Sequence, residues 1–244
     1  RVLLVVGVTM GGMVDAFGPN DTFTTTDGWT FTFRDSDDVL GMRNTTSNGV
    51  RYLVGAVSLD GYSGVPQENL VMPSYVRFQS ATYDCYGIVR STYVKRKGMV
   101  PSLGIGNYYN TFDFSATTNL VLPSTCRNIG EGSLAAASNV VSITFPTSLE
   151  SIGFGTCYNC RKLKSVSLTS PYLKSIGYSC FAGCSSLESV FIEGNGETVV
   201  YDSAFSGCTS LKRVKFGPGV KRVGKQLDTN YDRDGVFGNC YKLS

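Results

Sequence analysis

The sequence predicts a mainly β protein: a solenoid in which repeats of 23–24 residues stack into a parallel β-sheet, preceded by a small β-rich N-terminal region. Three observations indicate this class. Similar segments recur through the C-terminal half, each ends in alternating apolar and polar residues, and only 17% of the residues are charged whereas Gly accounts for 28 of 244. A unit of this length is too small to bury its own apolar residues, so each must stack on its neighbour.

The clearest repeat begins at Ile176 and reads IGYSCFAGCSSLESVFI. Counted from this Ile, apolar residues follow at positions five, eight, eleven, fourteen and sixteen. The same positions are apolar after starts at residues 129, 152 and 200, and a further start at Val223 is interrupted by the insertion KQLDTNYDRD. Successive starts are 23, 24, 24 and 23 residues apart, a period that is typical of solenoids.

Each repeat contains an L-x-x-V-x-L core, for example LESVFI, whose last apolar residues alternate with polar ones. This alternation predicts a strand with one buried face, and stacking would join the strands into a parallel sheet. We expect the Gly after each starting Ile to permit a tight turn. Pro or Gly in FPTSLESIG and FGPGVKRVG would end the strand.

Four of the eight cysteines share one repeat position, and we interpret them as a structural ladder of buried thiols: Cys160, Cys184, Cys208 and Cys240. A Ser at position 184 would then bury a hydroxyl without a partner. The alternative is a zinc site, because Cys157-x-x-Cys160 and Cys180-x3-Cys184 have ligand-like spacing. The chain contains no His to complete a mixed site, so we predict no metal; disulfide pairing stays open.

This pattern resembles the leucine-rich repeats of the BspA type, a family of bacterial and protozoan surface proteins whose unit reads roughly IGxxAFxxCxxLxxVxLPxxVxx. The segments IGYSCFAGCSSLESVFI and VVYDSAFSGCTSLKRVKFGPGVKRVG match closely, and the match covers about Asn119 to Ser244. The resemblance implies a leucine-rich-repeat solenoid and adhesion to host matrix proteins, other microbes or glycans. Departures are Ala137 in place of Cys in the first copy and the insertion after Gly224.

The N-terminal run RVLLVVGVTMGGMV looks like the later part of a secretory signal peptide, and the alternative is a buried first strand. It is too short to span a bilayer, and no transmembrane segment is visible. We therefore divide the chain into residues 1–16, a possible signal-peptide remnant or buried strand; 17–100, a β-rich region; and 101–244, the repeats. The last repeat is incomplete at YKLS, so we expect a fragment of a longer product.

Within the β-rich region, DGWTFTF alternates aromatic residues with Thr and predicts a strand with one buried face. The runs VRYLVGAVSL and NLVMPSYVRFQSATYDCYGIV also predict strands, whereas SDDVLGMRNTTSNG suggests an exposed loop. The order resembles the β-rich lead-in that often precedes BspA-type repeats. Ile105-Gly106 is interpreted as a decayed repeat start.

The composition argues against catalysis. Without His, no Ser-His-Asp, Cys-His or His-metal arrangement can form. Two clusters of carboxylates lack the spacing of an EF-hand loop and suggest solvated loops: Asp35, Asp37 and Asp38, then Asp228, Asp232 and Asp234. We predict that the protein is not an enzyme and needs no cofactor. A net charge of +3 is too small to indicate nucleic-acid binding.

Binding through the surface is the remaining class of function. The outward positions of successive repeat strands change from hydroxyl to aromatic to basic, and this end of the sheet carries the predicted ligand-binding residues: Phe191, Arg213, Lys215, Lys221 and Arg222. An acidic protein or an anionic glycan would be the ligand. The alternative is an ordinary solvated face that resists aggregation.

Two functions follow. The first is a non-catalytic secreted or cell-surface binding module that adheres to host protein, glycan or other cells through the exposed sheet. The second is a structural subunit of a larger assembly, such as a surface filament or a viral particle, which would self-assemble through an interaction strand from Val2 to Val8.

Overall fold

A computed structural model describes residues 22–24, 27–33, 44–47, 50–53, 56–62, 64–78, 81–88, 112, 114–224 and 235–244. In these segments the chain forms β-strands joined by turns, with no helix. The strands of the C-terminal part stack in parallel as successive coils, which confirms the predicted solenoid of repeats about 24 residues long. Residues 1–16, Ile105-Gly106 and both Asp clusters lie outside the described residues, as does the predicted strand from Val2 to Val8.

Eight strands precede the matched repeats: β1 Thr22–Thr24, β2 Trp29–Phe33, β3 Asn44–Ser47, β4 Val50–Leu53, β5 Ala56–Tyr62, β6 Asn69–Val71, β7 Tyr75–Phe78 and β8 Ala81–Ile88. Eight more belong to the repeats: β9 Asn119–Val121, β10 Asn128–Ile129, β11 Ser142–Thr144, β12 Ser151–Ile152, β13 Ser165–Leu168, β14 Ser175–Ile176, β15 Ser189–Val200 and β16 Arg213–Val223.

Each coil has two strand-forming sides, and the first corresponds to the L-x-x-V-x-L core. We call it the front sheet: β6, β9, β11, β13, and the segments Ser189–Ile192 of β15 and Arg213–Phe216 of β16. Between β11 and β13 the sheet continues through the Lys164 N–H, which donates to the Val141 carbonyl at 3.1 Å. Apolar residues of these strands point into the coil, as the alternation predicts.

The second strand-forming side begins each repeat. We call it the second sheet: β8, β10, β12, β14, and the segments Val199–Val200 of β15 and Arg222–Val223 of β16. The residues that start the repeats lie in register along it: Ile129, Ile152, Ile176, Val200 and Val223. The spacing counted in the sequence is therefore the spacing of the coils.

The third side is made of turns, and we call it the turn side: residues 130–137, 153–160, 177–184, 201–208 and 235–240. Alternate N–H groups there donate to carbonyls of the next coil. At one interface the donors are Gly155, Cys157 and Asn159, and the N–O distances are 3.0, 2.7 and 2.9 Å. Backbone pairing on all three sides satisfies polar groups that stacking would otherwise bury without partners.

The Gly after a repeat start lies directly after a strand of the second sheet, for two different reasons. Gly224 has a φ of 77°, whereas Gly153 and Gly177 have no positive φ; a Cβ on Gly177 would lie 2.6 Å from the backbone carbon of Gly153, so close stacking of coils excludes a side chain. Two other local expectations were wrong. The segment FGPG does not end a strand, because β16 continues through it with register shifts. The expected loop SDDVLGMRNTTSNG contains β3, which forms an antiparallel hairpin with β4.

The N-terminal strands are continuous with the repeats. In the strand predicted from DGWTFTF, Trp29 and Phe31 are buried, and they belong to the same hydrophobic core as the repeats. Strand β6 pairs in parallel with β9, and β8 pairs in parallel with β10. Both sheets of the solenoid thus extend into the region that the sequence assigned to a separate β-rich unit, whereas the division at residue 101 stays a prediction.

Candidate functional site

The thiol ladder occupies the inside of the turn side. Cys160, Cys184 and Cys208 are fully buried, and Cys240 is partly buried. Each Sγ lies at hydrogen-bond distance from a carbonyl of the preceding coil, as in the 3.3 Å contact between Cys184 and Cys157. The expectation that a hydroxyl at position 184 would lack a partner is therefore wrong, because an acceptor is present.

The paired cysteines with zinc-like spacing belong to the same packed interior. Cys157 and Cys180 are fully buried free thiols, and burial raises the pKa of the Cys180 thiol, which keeps it protonated. Within the described residues no group of three or more potential ligands could hold a metal ion. The side chains inside the coils therefore pack against one another, and the side chains that a ligand can reach lie on the outer face.

The outer face of the front sheet carries two columns of side chains, one pair from each strand. The first column contains Asn69, Asn119, Ser142, Ser165, Ser189 and Arg213. The second contains Val71, Val121, Thr144, Ser167, Phe191 and Lys215. The side chains of both columns are small and uncharged over four strands, the fifth strand adds the aromatic Phe191, and the columns become basic at β16, as the sequence predicted.

At the basic end, Phe191 and Lys215 are neighbours in register, and the Lys215 Nζ lies 5.5 Å from the centre of the Phe191 ring. This distance fits a cation–π contact. Arg213 and Lys215 are exposed and Phe191 is half-buried. The structure thus brings together three of the five predicted ligand-binding residues, on the outer surface of two adjacent strands.

Beside these residues lies a carboxylate between two cations. Glu188 Oε2 is 3.0 Å from Lys212 Nζ, and its Oε1 is 3.9 Å from Lys164 Nζ on the opposite side. The hydrogen bond and charge of Lys212, with the charges of Lys164 and Lys242, hold the pKa of the Glu188 carboxyl below its usual value. Lys164 and Lys242 therefore belong to the same basic surface.

The other two predicted residues lie at the opposite end of β16. Lys221 forms an ion pair with Glu197, a neighbour from the preceding coil. Arg222 is half-buried, and its guanidinium lies 6.0 Å from the centre of the Tyr201 ring, which packs on Tyr178. Lys221 and Arg222 therefore do not belong to the group of residues around Phe191.

Sequence reasoning missed the N-terminal continuation of the columns. The Asn119 amide donates to Asn69 Oδ1 at 2.8 Å, and the Ser142 hydroxyl donates to Asn119 Oδ1 at 2.7 Å. The sequence contains evidence for this continuation, because NLVMPS at 69–74 and NLVLPS at 119–124 differ at one position. Their offset of 50 residues does not match the 24-residue period, so counting with a fixed period passes over the pair.

The chain matches a family model described as a BspA type leucine-rich repeat region, which covers residues 105–244 in six copies. No curated protein sequence matches the chain. Among the described residues, no helix is long and apolar enough to cross a bilayer.

Solved structures that resemble the chain include a leucine-rich repeat protein and a vaccine antigen. A leucine-rich repeat protein from Bacteroides ovatus ATCC 8483 has a TM-score of 0.56 and 25% sequence identity over 83% of this chain and 44% of its own. The pneumococcal vaccine antigen PcpA has a TM-score of 0.50 and 12% identity over 86% of this chain and 51% of its own, a likeness of fold alone. The chain therefore spans about half the length of these relatives or less.

Proposed function

Because the chain belongs to the BspA-type leucine-rich repeat family, we propose that it is a non-catalytic, secreted or cell-surface binding module. It adheres to a host protein, a glycan or other cells through the outer face of the front sheet. The location at the cell surface is supported by the family, which consists of bacterial and protozoan surface proteins.

The observation that carries this proposal is the composition of the outer columns. Four adjacent strands present uncharged Asn, Ser, Thr and Val side chains, the fifth presents Ser189 and Phe191, and the sixth presents Arg213 and Lys215. The hydrogen-bonded sheet fixes the backbone spacing of these residues, so a ligand meets side chains at regular intervals. Basic residues at one end attract an acidic partner through long-range electrostatics.

The absence of catalysis is proposed on the residue types. The chain contains no His, so no imidazole can act as a general base. The described repeat cysteines are buried or partly buried on the inside of the coils. The outer columns offer amide, hydroxyl, aliphatic, aromatic and basic side chains, a set suited to binding.

Binding to an array of extracellular-matrix proteins and glycans, at low and physiological salt, tests the proposal. We expect acidic ligands to bind in a salt-sensitive manner, because exposed charges are screened by ions. The double variant Arg213→Glu, Lys215→Glu should reduce this binding at least tenfold, while its melting curve stays near that of the wild type.

The matched control is Arg127→Glu, Lys174→Glu. It changes the net charge by the same amount, but both side chains flank Glu150 beside the second sheet. Equal losses in the two double variants would show a general charge effect and contradict the assignment. If the wild type binds no ligand of the array and sediments as a large particle, the result would instead favour the structural subunit.

A further inference from the structure

The basic surface around Glu188 is drawn from several repeats. We call it the cation row: Lys162, Lys164, Lys212, Arg213, Lys215 and Lys242. Lys164 and Lys212 follow the same Leu of their repeats, as Glu188 does, so the three lie in one line along the solenoid axis. Lys162 and Lys242 precede the corresponding Leu of their repeats, whereas Arg213 and Lys215 follow it on β16. The six cations therefore span four adjacent coils, whose strands are about 4.8 Å apart.

We propose that the ligand of the front sheet is a linear sulfated or carboxylated polysaccharide, bound along the cation row, and that Glu188 limits its affinity. This inference rests on the proposed function and names the ligand class. An extended polyanion can contact Lys164 and Lys212, which are two strands apart in one line, together with the cations beside them. Exposure of 57% for the Lys164 side chain and 54% for that of Lys212 leaves both accessible.

The surface favours a polysaccharide over an acidic protein. Protein interfaces depend on large apolar or aromatic anchors that enter pockets. Within the two outer columns of the front sheet the aromatic side chain is Phe191, which is half-buried and already contacts Lys215. The neighbouring outer residues Ser165 and Ser167 are exposed hydroxyls, which can exchange hydrogen bonds with sugar hydroxyls and sulfate or carboxylate oxygens.

Glu188 opposes such a ligand because it places a negative charge in the middle of the row. Its carboxylate pairs with Lys212 at 3.0 Å and lies 3.9 Å from Lys164, so it neutralises part of the charge that an anion would meet. Removing this charge while keeping the size of the side chain frees both lysines for the ligand. The variant Glu188→Gln should therefore bind a polyanion more tightly than the wild type.

The chain offers a matched control for this substitution. Glu150 also lies between two cations, 3.4 Å from Arg127 and 2.8 Å from Lys174, but it stands beside the second sheet. The variants Glu188→Gln and Glu150→Gln change the net charge equally, and each breaks two exposed ion pairs. A difference between them in polyanion binding therefore separates the position of the removed charge from a change in net charge.

The experiment is equilibrium binding of the full chain to dextran sulfate, with neutral dextran as the uncharged counterpart and poly-L-glutamate as an acidic polypeptide. We expect dextran sulfate to bind and dextran not to bind. Glu188→Gln should increase the affinity for dextran sulfate roughly two- to fivefold, the factor that corresponds to an exposed charge pair. Glu150→Gln should match the wild type.

Equal affinities of the two Gln variants would overturn the role of Glu188. Tighter binding of poly-L-glutamate than of dextran sulfate at equal charge would replace the polysaccharide with an acidic protein segment. If the wild type binds an array protein but not dextran sulfate, the proposed function stands and the ligand class is wrong. If the wild type binds neither a ligand of the array nor dextran sulfate, both proposals fail.

Discussion

At the scale of single residues, the ladder cysteines combine two properties. A thiol is small and apolar enough to fill the inside of a tight coil, and its S–H can reach a carbonyl of the neighbouring coil, as Cys184 reaches Cys157 at 3.3 Å. The same geometry recurs at 3.3 Å for Cys208 and Phe181. The position therefore selects a small side chain that also carries a weak donor.

Substitutions at Cys184 separate these two properties. We expect Cys184→Ala to lower the free energy of unfolding by about 1–2 kcal/mol, because it loses both packing volume and the contact with the Cys157 carbonyl. Cys184→Ser should cost less than Ala, since its hydroxyl can donate to the same carbonyl. Urea unfolding measures both variants. A larger loss for Ser than for Ala would show that the carbonyl does not receive the hydroxyl.

At the scale of elements, each turn of the turn side contains two left-handed residues. The first set is Gly132, Gly155, Ser179, Ser203 and Gly235, and the second is Ala136, Asn159, Gly183, Gly207 and Asn239. The conformation turns alternate N–H groups toward the next coil, for example that of Asn159 toward the Ala182 carbonyl at 2.9 Å. Gly and Asn adopt it readily, whereas Ala136 at φ 58° carries a steric cost.

Relieving that cost should stabilise the protein. We expect Ala136→Gly to raise the free energy of unfolding by about 0.5–1 kcal/mol, because the left-handed penalty of an L-residue exceeds the added flexibility of Gly in the unfolded chain. Chemical denaturation measures the change. The adjacent control Ala135→Gly should be destabilising, since Ala135 is buried and has no positive φ. A loss of stability in both variants would contradict the strain argument.

At the scale of the whole molecule, stability comes from contacts between neighbouring coils. Phe181 and Phe205 stack with their ring centroids 5.3 Å apart, and Phe205 stacks on Phe237 at 5.6 Å. Each ring contacts the ring of an adjacent coil, so a solenoid of this kind behaves as a chain of nearest-neighbour interactions. The core of the repeats also includes Trp29 and Phe31, which links the N-terminal strands to the coils.

Double-mutant cycles test the nearest-neighbour description. Substitution of Phe181 and Phe205 by Leu, singly and together, should give a coupling free energy of about 0.5–1.5 kcal/mol, because the two rings stack directly. The corresponding cycle for Phe181 and Phe237, which are two coils apart, should be additive to within about 0.5 kcal/mol. Comparable coupling in both cycles would require cooperation beyond adjacent coils.

Much of the fold could be predicted because a solenoid repeats its sequence with its structure. The period, the buried positions and the outward position of Phe191, Arg213 and Lys215 all follow from the spacing of apolar residues. These properties are local, since each depends on alternation within a strand and on the neighbour one repeat away. The family followed from the same pattern.

The sequence by itself therefore determined the class of fold, the register of the repeats and the thiol ladder. Only the tertiary structure decided which charges are available: it pairs Lys221 with Glu197 and sets Glu188 between Lys164 and Lys212. It also joined β6 to β9 across an offset of 50 residues. Ion pairs and strand pairs of this kind depend on distances between coils, and a side chain finds its partner only when the coils have stacked.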